Sequence, residues 1–369
     1  MAAATQRSEQ MACAEATGRD AWLRAKLRAY DPRYRRRALR PLVRAVRGDA
    51  PLSSAAPLFT NPFTPADLLA FDTGQLGELL HAHAAHTTPE PLAAALAGAG
   101  RDVIDHVAGA LPDADREQLR ASLARPTARR RRGAAARRAL MDALFWELTY
   151  WRTPDLYEEL IAGERLHPGI FRCLAPLLRD AEVLDAGAGS GRATLDCLYH
   201  GARHVYAVEP SPGLLRILTR KAAAHPAAAR LTPLRGRFDA IPLADDSVDL
   251  ALACSAFTAD PSAGGDPGLA ELRRVTRPGG RIVIIWPRPE DFGWLAARGF
   301  HYVALPIPTD FAACYRSFDA AWRVARRFYA RNRALVSHLA RGHTPTIPFA
   351  LIGPNPPHDY CWLQVEKGG

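Results

Sequence analysis

Residues 183–195 read VLDAGAGSGRATL, and this stretch decides the fold. A short apolar run, Val183 and Leu184, ends in an acidic residue, Asp185. Three glycines two apart follow, Gly187, Gly189 and Gly191, and then a helix start. Glycines let the backbone turn tightly and approach a ligand closely, and the helix N-terminus behind them presents N–H groups that lack intrahelical partners. Strand, glycine turn and helix in this order imply a nucleotide-like ligand.

Working outward, apolar strand-like runs at 182–186, 204–208, 248–253 and 281–286 alternate with helical stretches, which predicts a parallel sheet with crossover helices. Beyond Trp286 come a helical piece at 320–338 and two last strand candidates, 347–352 and 360–365, expected to form a hairpin joined by 353–359. Upstream, from Thr64 to Leu148, helical signals recur with no strand pattern between them: Leu68, Leu69, Leu76, Leu79 and Leu80 at helical spacing, then pieces at 88–96, 102–111, 113–123 and 134–148. The first 51 residues carry arginine-rich patches and read as a helix or two with a flexible lead. Three regions are therefore expected: a basic, partly flexible segment over 1–60, an all-helical module over 61–150, and an α/β domain over 151–369.

A chain of 369 residues is long enough for two domains, each with its own core. Apolar residues make up 48% and charged residues 23%, an ordinary globular balance that argues against a disordered or fibrous protein. The first twenty residues contain no apolar core of a signal peptide, and no run approaches the ~18 apolar residues of a membrane span. A cytoplasmic location and no membrane partner are expected. Six scattered cysteines (Cys13, Cys173, Cys197, Cys254, Cys314, Cys361) form no C-x-x-C pair and read as reduced thiols. The net charge is +10, yet only Lys26, Lys221 and Lys367 of the 48 basic residues are lysines, a bias that points to a GC-rich genome.

Two cofactors compete for the glycine loop. A nicotinamide dinucleotide would set its anionic pyrophosphate there, whereas S-adenosylmethionine (SAM) carries a cationic sulfonium and an ammonium group. Asp185 would repel the first and favour the second. Glu209 ends the next strand (VYAVEP) and can accept hydrogen bonds from both ribose hydroxyls, a role that suits adenosine in either cofactor.

Two further blocks bear on the choice. Residues 236–250, GRFDAIPLADDSVDL, resemble a loop that borders an adenine and leads into a fourth strand. Residues 272–286, LRRVTRPGGRIVIIW, resemble the helix, Pro-Gly-Gly turn and fifth strand of the same fold. With the glycine loop and Glu209, these blocks resemble the class I SAM-dependent methyltransferase superfamily, nearest its small-molecule type 11 group. The resemblance implies an α/β fold with a Rossmann-like seven-stranded sheet and a C-terminal hairpin, preceded by an all-α domain. It implies that Asp185, Gly187, Ala188, Gly189 and Gly191 face the methionine and ribose portions of SAM, that Glu209 meets the ribose hydroxyls, and that Pro210 borders the adenine. Relatives often carry an acidic residue where this chain has Arg237, so the Phe238 backbone or the Asp239 carboxylate is expected to stand in for it. Cys254 and Ser255 are expected near the transferable methyl. Tyr157 precedes the first block on a helix that closes over the cofactor in relatives, or packs in a core. Separately, residues 66–148 resemble the C-terminal helical part of the flagellar rotor switch protein. That likeness rests on spacing, covers about 80 residues, and implies an armadillo-like protein-interaction module.

Methyl transfer from a sulfonium is an in-line displacement that needs alignment more than a catalytic side chain, so no catalytic residue is assigned. His301, Tyr302, His358 and Asp359 are candidate bases for a hydroxyl or amine acceptor, with packing as the plainer reading. Asn355-Pro356-Pro357-His358 is similar to a signature of amino-methylating nucleic-acid enzymes, but that signature follows the fourth strand and this stretch reads as a turn. His81, His83 and His86 spread around a helix rather than sharing one face, so no metal is expected. The runs 35–37, 129–132 and 137–138 are arginines without interleaved aromatics and read as solvated surface. The expected function is SAM-dependent methyl transfer to a small molecule, with a protein partner possible through the helical module. The alternatives are RNA methylation along the basic N-terminal half and non-catalytic SAM binding.

Overall fold

The computed structural model describes residues 18–50, 52, 58–125, 129–307 and 310–366. Cys13, Lys367 and the side chains of the 129–132 arginine run lie outside the described residues. The chain divides into two compact units, one of residues 59–157 and one of residues 1–58 with 158–369.

The 59–157 unit is helical, with Thr73–Ala82, Ala84–Thr87, Pro89–Leu96, Arg101–Gly109, Asp113–Ala124, Arg129–Ala143 and Phe145–Arg152. Its starts are written locally. The Asp72 carboxylate accepts from the Gln75 N–H at 2.8 Å and the Gln75 side chain accepts from the Asp72 N–H at 3.2 Å, a reciprocal cap that satisfies two donors with no intrahelical partner. The apolar spacing read from the sequence converges on one core that includes Leu68, Leu76, Leu80, Leu92, Val107, Leu119, Leu140 and Leu148.

The second unit is built on seven strands: β1 (Glu182–Ala186), β2 (His204–Val208), β3 (Leu231–Leu234), β4 (Val248–Cys254), β5 (Thr276–Ile285), β6 (His301–Ala304) and β9 (Asp359–Gln364), in the order β3-β2-β1-β4-β5-β9-β6. The first five are mutually parallel, while β9 runs antiparallel between β5 and β6. Alternation along each strand sends side chains to two faces. Leu184, Ala186, Ala251, Ile282 and Ile284 join one core cluster, and Val183, Leu250, Leu252, Val283 and Ile285 join the other. A sheet buried on both faces explains why its strands read as nearly continuous apolar runs.

The stretch set apart as a basic lead belongs to this sheet's first core. Arg19–Arg28 and Pro32–Arg47 are helices, and Trp22, Leu23, Tyr30, Tyr34, Ala38, Leu42 and Val46 are buried in the cluster with Leu184 and Ile284. Their arginines occupy the opposite faces.

The expected late hairpin does not form between its two segments. Residues 349–352 are a short helix, and β8 (Thr346–Pro348) pairs instead with β7 (Ala312–Cys314) in a separate two-stranded sheet. Three prolines, Pro354, Pro356 and Pro357, lack the N–H groups a tight ladder would require, and β9 finds partners on both sides within the main sheet. No helix of the described residues is long and apolar enough to cross a membrane.

Candidate functional site

The glycine loop lies at the C-terminal end of β1, where parallel sheets bind ligands. Gly187, Gly189 and Gly191 all have positive φ, at 68°, 58° and 96°, a conformation that side chains strain against. The Gly187 and Ala188 N–H groups donate to the Val208 carbonyl at 2.9 and 3.0 Å, tying the loop to the end of β2. A Cβ on Gly187 would fall 2.9 Å from the Phe238 ring and 3.0 Å from the Ala256 Cβ, and one on Gly191 would fall 2.7 Å from Leu218. At Gly187 the positive φ and the close Phe238 and Ala256 together leave room only for glycine.

Two carboxylates bracket it. Asp185 is fully buried. Its Oδ2 accepts from the Thr194 hydroxyl at 2.5 Å, while its Oδ1 is buried with no hydrogen-bond partner. Glu209 is 5% exposed; its Oε2 accepts from the Gly189 N–H at 2.9 Å and its Oε1 from the Ser211 N–H at 2.8 Å. Burial pushes each up to about 7, only partly opposed by those hydrogen bonds. Both are therefore acids held by neutral donors in a dry setting, which a cationic or hydroxyl-bearing ligand would stabilise in the charged form.

The remaining sequence-derived residues divide into those near this loop and those elsewhere. Pro210 follows Glu209 and is half-exposed. Phe238 packs beside Gly187 and meets Phe257 edge-on at 5.2 Å. Arg237 and Asp239 are exposed and form a two-pronged ion pair with each other, both contacts at 3.0 Å. Hydrogen bonding from Arg237 holds the Asp239 carboxyl below its usual range. Cys254 ends β4 with its thiol pushed up to about 11 by burial, and Ser255 follows it with φ +54°. Tyr157 lies edge-on to Tyr150 at 4.8 Å.

The candidate bases do not gather on an open edge. His301 stacks on Trp362 at 4.4 Å, whereas Tyr302, His358 and Asp359 are fully buried. These three join Lys26, itself fully buried, in a polar cluster under the first helix. Lys26 Nζ is ion-paired to Asp359 Oδ2, and the Tyr302 hydroxyl donates to the same oxygen at 2.5 Å. His358 Nδ1 lies 2.7 Å from the Leu305 carbonyl, which can only accept, so Nδ1 carries the proton and Nε2 accepts from Lys26 at 3.3 Å. The Asn355–His358 stretch is a connection into β9, and its Asn355 carbonyl accepts from the Trp286 indole at 3.0 Å.

Sequence reasoning missed Arg192, although it directly follows the third glycine. It bridges the start of the loop helix to the ends of β4 and β5, donating to Ser255 Oγ at 2.8 Å. Lys221 was also missed; it donates to the Ser190 carbonyl at 2.9 Å and pairs with Glu158 at 2.6 Å, bracing the loop from behind.

Residues 183–280 match a family model described as a methyltransferase domain. An uncharacterised methyltransferase of Geobacillus kaustophilus is 30% identical over 175 residues, covering 45% of this chain and 78% of that protein. The chain belongs to the methyltransferase family. An uncharacterised methyltransferase of Mycobacterium tuberculosis is 39% identical over 119 residues, 32% of this chain and 44% of the relative, so the match spans less than half of that relative's length. A malonyl-(acyl-carrier protein) O-methyltransferase of Serratia marcescens is 32% identical over 136 residues, 35% of this chain and 43% of that one. In this methyltransferase-family domain the matched residues run from β1 to the Pro-Gly-Gly turn, and so include the glycine loop, both carboxylates and the end of β4.

Proposed function

We propose that the chain transfers a methyl group from SAM to a small-molecule acceptor, with the loop of Asp185, Gly187, Ala188, Gly189 and Gly191 as the cofactor cradle. One observation carries the reading: a left-handed glycine loop bracketed by two buried carboxylates, one with an oxygen that has no partner. When bound, SAM supplies an electrophilic methyl on a positively charged sulfur. Asp185 and Glu209 suit it because a carboxylate accepts from ammonium and hydroxyl groups, and each carboxylate oxygen has more than one lone-pair site. Glu209, already fixed by the Gly189 and Ser211 N–H groups, would meet the ribose hydroxyls without reorienting. Pro210 and Phe238 would border the adenine. Since Asp239 is engaged by Arg237, the Phe238 backbone is the better candidate for the adenine amine. Cys254 and Ser255 would face the methyl.

A small acyl group as acceptor is supported by the Serratia relative, whose name gives an O-methyl transfer to a malonyl group carried on an acyl-carrier protein. The test uses methyl-labelled SAM with separated small-molecule, RNA and protein fractions of a cell extract. Label is expected in the small-molecule fraction. Label confined to RNA would overturn the choice of acceptor.

A further inference from the structure

Strands β4 and β5 are each followed directly by a residue forced into the left-handed region: Ser255 at φ +54° and Trp286 at φ +58°. Neither is glycine, so the surrounding structure must hold them there, and strain of this kind gathers at working sites. Both are pinned by the ladder, the Ser255 N–H donating to the Ile285 carbonyl at 2.9 Å and the Trp286 N–H to the Asp359 carbonyl at 2.8 Å.

Arg192 spans these two ends. Its Nη2 donates to Ser255 Oγ at 2.8 Å, its Nη1 to the Glu164 carbonyl at 3.2 Å, and its guanidinium carbon lies 5.6 Å from the centre of the Trp286 ring. The indole is fixed in turn by its bond to the Asn355 carbonyl. Arg192, Ser255 and Trp286 are all half-exposed, so a ligand can reach them. Three acids face it, Glu164, Asp185 and Asp196; burial raises all three and the charge of Arg192 opposes the rise, whereas the guanidinium itself stays charged throughout the accessible pH range.

We propose that Arg192, with Ser255 and Trp286, forms the acceptor subsite and that it takes a small-molecule carboxylate, which departs as its methyl ester. The proposal rests on the reading of the glycine loop as the SAM cradle. A guanidinium fork matches a carboxylate, and an aromatic wall beside it suits the carbon skeleton that bears the acid. The acceptor needs no base. Tyr302, His358 and Asp359 are buried, and the Glu164 carboxyl is engaged by the Tyr329 hydroxyl. A carboxylate oxygen is already an anion: it forms the new C–O bond to the methyl carbon as the C–S bond breaks, the electron pair passes to sulfur, and no proton moves. The products are the methyl ester and neutral S-adenosylhomocysteine.

The experiment compares wild-type protein, Arg192→Gln and Arg192→Lys. Each is incubated with methyl-labelled SAM and the small-molecule fraction of a cell extract; the products, freed of SAM, are then treated with alkali. Methyl esters release volatile methanol, whereas N-methyl and ether methyl groups do not. Alkali-volatile label is expected from the wild type, falling at least about tenfold in Arg192→Gln and less in Arg192→Lys, as loss of a charge-assisted hydrogen bond would require. Calorimetry with SAM alone is expected to give affinities for wild type and Arg192→Gln that agree within about threefold. Alkali-stable label would overturn the carboxylate acceptor and leave the transferase reading standing. Loss of SAM affinity in Arg192→Gln would reassign the arginine to the cofactor and overturn the subsite. No label from the wild type with the small-molecule, RNA or protein fraction, each incubated separately, would by contrast count against methyl transfer itself.

Discussion

Two groups of buried acids sit in the α/β unit, and they are solved in opposite ways. At the glycine loop, Asp185 and Glu209 are held by a hydroxyl and by backbone N–H groups, with no cation ion-paired to either carboxylate among the described residues. Three strands further along the sheet order, on β9, Asp359 is ion-paired to the buried ammonium of Lys26 and bonded by Tyr302, with His358 completing the set. Both sites leave one carboxylate oxygen without a partner, Asp185 Oδ1 and Asp359 Oδ1, so an orphaned oxygen alone does not distinguish them. The cation does. Asp359 has its countercharge bonded to it and is closed; the loop acids are bonded by neutral donors, the charge of Arg192 acting on Asp185 only as the smallest of its influences, and a cationic ligand can add to it. Burial pulls Lys26 down and Asp359 up, and their mutual attraction opposes both changes, as expected of a pair whose worth lies in being intact.

The largest effect should come from breaking the closed site. Lys26→Met removes the ammonium and leaves Asp359 buried without its cation, which should cost about 3–5 kcal/mol of stability. Chemical denaturation is the measurement, and the double variant Lys26→Met with Asp359→Asn should recover much of the loss. If Lys26→Met were neutral, the pair would not be the clamp that fixes the first helix to β9.

The loop acids should behave with the opposite sign. Their folded values of about 7 lie above those of an unfolded carboxyl, so the folded state holds more protons between roughly pH 4 and 7, and stability contributed by these groups falls as pH rises through that window. Glu209→Gln is isosteric and uncharged. It should flatten part of this slope at a pH-independent cost of about 1–3 kcal/mol, because the Gly189 or Ser211 N–H then faces an amide NH2 instead of an acceptor, measured as thermal unfolding midpoints across pH. A slope as steep as that of the wild type would show that Glu209 does not titrate in that window.

The comparison also explains what could be read from the sequence. The loop site is local: a strand end, three glycines and the end of the next strand place Asp185, Gly187, Gly189, Gly191 and Glu209 together, and each signal lies within a few residues of the backbone feature it dictates. The closed site joins Lys26 to Asp359, 333 positions apart in sequence, through a strand inserted antiparallel between β5 and β6. Nothing local specifies that insertion, which is why residues 347–352 and 360–365 read as a hairpin. The first helices are expected, but their place in the sheet's core is hidden by composition. Arginines at 33, 35–37, 40 and 44 suggest a solvated segment, although Tyr34, Ala38, Leu42 and Val46 recur every four residues and mark a buried stripe. Arg192 lay in plain view after Gly191, but its reach to Ser255 and Trp286 depends on where β4 and β5 end.

The central claim is that the loop is an unpaired acidic cradle for SAM. It is tested most directly by calorimetric titration of SAM into wild type, Glu209→Ala and Gly189→Leu, with unfolding midpoints taken alongside. The account predicts measurable binding to wild type, an affinity lower by about tenfold or more in Glu209→Ala as a charge-assisted hydrogen bond is lost, and no measurable binding in Gly189→Leu, with both variants folded. Unchanged affinity in folded Glu209→Ala and Gly189→Leu would contradict it.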